Sequence, residues 1–174
     1  MKLLIAVCDF PKAFELNSIL YDKVWENIST NHRAQDNLRG RSTGSYLHKQ
    51  KIKEVDILMS WIKEMLPEVS RNFASEKPEE KYGFNVNAFE IEECWGAHYN
   101  KGESLQKHNH FPYIISFVYY VRTPKGFSPI TIEDNNIDVK AGQCVYFLSH
   151  YLHEVHSNKC DGRCVITGNV AYKL

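Results

Sequence analysis

His108-Asn109-His110-Phe111-Pro112-Tyr113-Ile114-Ile115-Ser116-Phe117-Val118-Tyr119-Tyr120-Val121 sets two imidazoles two residues apart, just before an apolar run. Ile114 to Val121 is rich in β-branched and aromatic residues, the composition of a strand. On extended backbone, residues i and i+2 point to the same side, so His108 and His110 face one point. Imidazole suits iron, zinc, copper or nickel, and a three-ligand face would leave room for substrate or oxygen. A third ligand must then come from elsewhere in the chain.

The rest of the C-terminal half repeats the strand signal. Val86, Phe89, Ile91 and Trp95, then Ile130 to Ile132, Ile137 to Val139, Cys144 to Phe147 and Val165 to Tyr172 are short apolar runs divided by turn residues. Together with Ile114 to Val121 they predict a β-sandwich or jelly roll. The N-terminal half has a different period. Leu3 to Cys8 is a first strand, too short for the apolar core of a signal peptide. After Pro11, Leu16, Leu20, Val24 and Ile28 recur every fourth residue, with Ile19 and Trp25 widening the stripe, and predict a helix. Residues 29–45, with Gly40 and Gly44, read as a polar connector, or as a loop that closes over a pocket. From Tyr46 to Phe73, Val55, Leu58, Ile62, Met65 and Val69 predict a second helix widened by Trp61 and Leu66, which Pro67 breaks or kinks. Glu76 to Lys81, with Pro78, is a charged connector. One domain over 1–174 is expected, with 1–81 a helical support and 82–174 the β core.

Lys+Arg and Asp+Glu both number 21 among 174 residues, so no basic face is offered to nucleic acid or an anionic membrane. No apolar run is long enough for a membrane helix. Hydrophobic residues are 43% and aromatics 13%, including 10 Tyr and 9 Phe, which suits a folded β-rich domain. Cys8, Cys94, Cys144, Cys160 and Cys164 are odd in number and contain no CxxC pair, which points to a reducing, cytoplasmic setting.

Six of the eight histidines fall between His98 and His156. The third ligand is sought in the stretch His150-Tyr151-Leu152-His153-Glu154-Val155-His156. At this point the chain resembles the iron/2-oxoglutarate oxygenases, in particular the small prolyl-hydroxylase-like members of bacteria and phages. The resemblance covers about Glu93 to Asn169. It rests on Trp95 with Tyr99-Asn100-Lys101-Gly102 leading into His108-Asn109-His110, on Ser116 to Val121, on Gly142 before the strand to Phe147, and on His153 followed ten residues later by Arg163.

This resemblance implies an α+β fold, a double-stranded β-helix (jelly roll) with N-terminal helices packed on it. It implies a dioxygenase using Fe(II) and 2-oxoglutarate to hydroxylate an unknown small-molecule or peptide substrate, by analogy a prolyl or other amino-acid side chain. His108, His110 and His153 would hold the metal. Arg163 would pair with the far carboxylate of 2-oxoglutarate, a task suited to its planar fork. Tyr99 and Tyr120 resemble the family's cosubstrate-pocket tyrosines, and Thr167 would donate a hydroxyl there. On strand parity His150 and His156 point away from His153's face, and Glu154 points away too.

The family's usual motif is His-x-Asp or His-x-Glu, and His110 stands at the carboxylate position. A neutral imidazole there removes one negative charge from the ligand set. A three-histidine iron site, a different metal, a lost activity, and a two-histidine site with His110 on substrate are all compatible with this pattern. A cupin also fits the five-residue gap from Gly102 to His108, but Ile114 and Ile115 stand where its glutamate belongs. A non-catalytic jelly-roll binding module is the remaining alternative.

Overall fold

The computed structural model describes residues 3–30, 37–74 and 88–173. In chain order the elements are β1 (Ile5–Asp9), α1 (Ala13–Thr30), β2 (Leu38–Arg39), β3 (Arg41–Ser42), a 3-10 turn (Leu47–Lys49) and α2 (Lys53–Ala74), followed by the β-rich half. That half comprises β4 (Phe89–Tyr99), β5 (Ser104–His108), β6 (Ile115–Arg122), β7 (Ile130–Ile132), β8 (Asn135–Asn136), β9 (Gln143–Leu148), β10 (His153–Val155) and β11 (Arg163–Tyr172). Two sheets result, one ordered β1-β9-β6-β11-β4-β3 and the other β2-β5-β10-β7-β8.

β6 shows why the molecule has three layers. Phe117, Tyr119 and Val121 pack toward the helices with Leu20, Val24, Leu58 and Ile62. Their neighbours Val118 and Tyr120 pack toward the second sheet with Ile130 and Ile132. A strand covered on both faces has no solvent side, so its sequence is apolar without alternation. The larger sheet is thus the middle layer, and the cavity lies between the sheets. At Gly96 the helix layer presses closest: an added Cβ would stand 2.7 Å from Val24 methyl carbons.

Several elements differ from their sequence expectation, each for a physical reason. In α1 the stripe of Leu20, Val24 and Ile28 is buried, but Ile19 and Trp25 are each 39% exposed and do not widen it. α2 starts at Lys53 rather than Tyr46 and runs through Pro67 without ending. Burial of Leu66 and Val69 on either side holds it, and the carbonyl freed by the missing proline N–H belongs to exposed Lys63. Ile137 to Val139 is not a strand. Glu133 and Asp134 take left-handed φ values of 45° and 62°, so the chain reverses there and Asn135–Asn136 pairs back on β7. The Ile137 N–H donates to the Ile130 carbonyl at 3.0 Å, beyond which Pro129 offers no N–H to extend the ladder. Val139 instead fills the space between the sheets.

The N-terminal region is more than a helical support. β1 pairs with β9, β3 with β4 and β2 with β5, so both sheets take strands from it. The connector over 37–45 therefore binds to both sheets within a few residues. Val86, the connector Glu76 to Lys81 and the expected boundary at 81/82 lie outside the described residues.

Candidate metal centre

His108 ends β5 and lies directly across the ladder from His153, the first residue of β10. His110 follows two residues after His108 and is fixed by its own N–H, which donates to the Ser149 carbonyl at 2.8 Å. The three ring centroids are 4.8 Å (His108 to His110), 4.3 Å (His108 to His153) and 5.0 Å (His110 to His153) apart. One ligand nitrogen from each lies within 4.8 Å of the others.

Two of the rings have their tautomer set by the backbone. The Nδ1 of His108 is 2.8 Å from the Gln106 carbonyl, and that of His153 is 3.1 Å from the Tyr151 carbonyl. A carbonyl can only accept, so each Nδ1 carries the proton and each Nε2 keeps its lone pair. This is the outer-shell arrangement that prepares imidazole for a metal. His110 packs edge-on to Trp95, with centroids 5.7 Å apart.

Burial keeps all three imidazoles neutral. It pushes His110, with further lowering from His153 and His108, down to about 3. It pushes His153, with His108 adding to the effect, down to about 4, and lowers His108 against the opposing Gln106 hydrogen bond. Because the folded values lie below the unfolded value of about 6.5, this stability is fully present above pH ~6.5 and is lost as pH falls toward the folded values. The metal-free protein should lose on the order of 5–10 °C of Tm between pH 7 and pH 4.5. Differential scanning fluorimetry of the wild type beside a His110→Phe/His153→Phe double variant checks this, since the variant should flatten the profile.

Arg163 begins β11 opposite Tyr99 and is 1% exposed. Its Nε and Nη1 are buried without a hydrogen-bond partner. The guanidinium carbon lies 4.4 Å from the Tyr99 ring centroid and 5.5 Å from that of Tyr120. Both tyrosine hydroxyls are pushed up, chiefly by burial, with Arg163 opposing. The Tyr120 oxygen also accepts the Ile130 N–H at 3.2 Å. A buried cation with idle donors is costly unless an anion completes it. The donor set and the cavity therefore fit a carboxylate.

A cavity of about 450 Å³ joins these groups. Tyr99, Arg163, His108, His110 and His153 line it, with Trp95 beside His110. Tyr120 touches Arg163 but is not among the lining residues. Thr167 lines the cavity, and its hydroxyl donates to the Phe117 carbonyl at 2.7 Å. His150 and His156 are exposed, and Glu154 lies near Lys107 and His156 on the outer side.

Sequence reading did not single out the roles of Asn37, Leu38, Ser45 and Glu93, which also line the cavity. Glu93 was findable by counting in twos from Tyr99 along β4, which puts Glu93, Trp95 and Tyr99 on one face. Asn37 to Ser45 carried no periodic signal.

No family model matches the chain. Its fold is shared with solved structures. A Pseudomonas putida prolyl-4-hydroxylase aligns over 99% of this chain and 95% of its own at TM-score 0.70 and 15% identity. A viral collagen prolyl hydroxylase from Paramecium bursaria Chlorella virus-1, solved as its 2-oxoglutarate complex, aligns over 96% and 95% at TM-score 0.63 and 13% identity. A Burkholderia pseudomallei oxidoreductase of the 2-oxoglutarate-Fe(II) oxygenase family aligns over 96% and 84% at TM-score 0.58 and 10% identity. In fold, the chain is similar to these prolyl hydroxylases and to a member of the 2-oxoglutarate-Fe(II) oxygenase family.

Proposed function

We propose that this protein is an Fe(II)/2-oxoglutarate-dependent dioxygenase on a double-stranded β-helix, hydroxylating a small-molecule or peptide substrate. The observation that carries the reading is the buried, incompletely bonded Arg163 guanidinium in the same cavity as three convergent neutral imidazoles. A cupin-like metal protein or an inert binding module would leave that cation without an anion, which is why the oxygenase reading is preferred.

His108 and His153 would hold the metal through Nε2, with His110 the third ligand. Iron with 2-oxoglutarate, when bound, supplies the oxidising chemistry for hydroxylation. The chain supplies placement. Arg163 would take the distal carboxylate in its fork, and Tyr99 and Tyr120 hold the guanidinium between them by their ring faces. Leu105, Val118, Ile130, Val155 and Val165 form apolar walls that keep water from the reacting centre. A prolyl or other amino-acid side chain, by analogy with the structural neighbours, is the proposed target. The five cysteines are free, in keeping with the cytoplasmic location we propose. Among the described residues no helix is long and apolar enough to cross a membrane.

Anaerobic calorimetry tests the reading. Titration of 2-oxoglutarate into Fe(II)- or Mn(II)-loaded protein should give a one-to-one isotherm that disappears without metal. Absence of 2-oxoglutarate binding with metal present would refute it.

A further inference from the structure

Among the described residues that line the cavity, Glu93 is the one acidic side chain. It lies on β4 opposite Asn169, while Tyr99 on the same strand lies opposite Arg163. Six residues of strand separate the two ends, roughly 20 Å at strand rise, so Glu93 and Arg163 cannot pair with each other. Among the described residues no cation pairs with Glu93.

The carboxylate is held rather than loose. Asn169 Nδ2 donates to Glu93 Oε2 at 3.2 Å, and Asn169 Oδ1 accepts the Ser116 hydroxyl at 2.8 Å. The Ser149 hydroxyl is 2.8 Å from that of Ser116, and the Ser149 carbonyl accepts the His110 N–H. Ser116, Ser149 and Asn169 are buried. A continuous hydrogen-bonded chain thus links Glu93 to the loop that carries His110. Trp95, between Glu93 and the histidines on the same face, provides an aromatic wall against His110.

An acid fixed at the cavity wall by Asn169, with no cation paired to it among the described residues, favours a ligand that brings the positive charge. We infer that Glu93 is a specificity-determining residue that binds an ammonium group of the substrate, so the substrate class is amine-bearing, a lysyl-type side chain or an α-amine. This rests on the oxygenase reading for what becomes of the substrate, but not for its binding.

The test is calorimetric and needs no turnover. Zn(II)-loaded protein, with and without 2-oxoglutarate, is titrated with three probes. Nα-acetyl-lysine methylamide carries a side-chain cation, norleucine methylamide an α-ammonium, and Nα-acetyl-norleucine methylamide no charge. At least one cationic probe should bind about tenfold or more tightly than the neutral one, and which one does so identifies the source of the amine. Glu93→Gln, which keeps an oxygen for Asn169, should erase that preference and leave the Kd of 2-oxoglutarate unchanged. Equal affinity for charged and neutral probes, a preference that survives Glu93→Gln, or failure of both cations to bind would each overturn the inference. Amine binding without 2-oxoglutarate binding would overturn the oxygenase reading and leave this one standing, and the opposite pattern would overturn this one alone.

Discussion

Arg163→Met is expected to lower 2-oxoglutarate affinity by two to three orders of magnitude while leaving the metal-free protein as stable as the wild type, or more so. Losing one side of a buried, hydrogen-bonded charge pair costs about 3–5 kcal/mol, and each ~1.4 kcal/mol is tenfold in Kd. In the unliganded protein the same cation is a burden, since its Nε and Nη1 have no partner and Tyr99 and Tyr120 alone stand against it to offset part of its desolvation. Methionine fills similar volume without charge. Calorimetry with Mn(II) and a thermal melt of apo protein read the two effects separately. Arg163→Lys should recover only part of the affinity, because an ammonium lacks the planar fork. A large loss of apo stability in Arg163→Met would mean the arginine is structural.

His153→Ala should weaken metal binding by about two to three orders of magnitude. Structural zinc sites draw ~10–16 kcal/mol from four ligands, so one ligand contributes roughly 3–4 kcal/mol. His153 is 3% exposed, and its Nε2 is freed by the backbone bond of its Nδ1, so no neighbouring side chain substitutes for it. Competition against a chelating dye with Zn(II) or Mn(II) measures the loss. The companion variant His110→Ala decides the role of His110. An equal loss makes it a ligand, and a loss within a few-fold assigns it to substrate. Aspartate at that position should tighten Fe(II) binding by adding a negative charge.

The parts of the fold carried by strict periodicity were legible. Leu20, Val24 and Ile28 marked α1, and the apolar run up to Val121 marked a strand. Elements decided by pairing partners were not. β5 and β10 are short and polar in sequence, and they exist because His108 and Val155 find cross-strand partners. Ile137 to Val139 looks like a strand, but its pairing with β7 stops at Ile137, since Pro129 on the partner side has no N–H to continue it. At the site, His108 and His110 were legible from their spacing, and His153 from its distance to Arg163. The hydroxyl of Thr167 could not be judged, because its acceptor, the Phe117 carbonyl, belongs to a strand 50 residues away. Nor could Glu93 be weighed before the cavity gave its face a meaning.

The short span from Leu38 to Ser42 pairs first with one sheet and then with the other, turning at Gly40, where an added Cβ would stand 3.1 Å from the His98 carbonyl. It works as a stitch across the seam of the sandwich, with Asn37 and Leu38 at the cavity wall. A substitution at Gly40 would therefore disturb the joining of the two sheets and the wall of the cavity together.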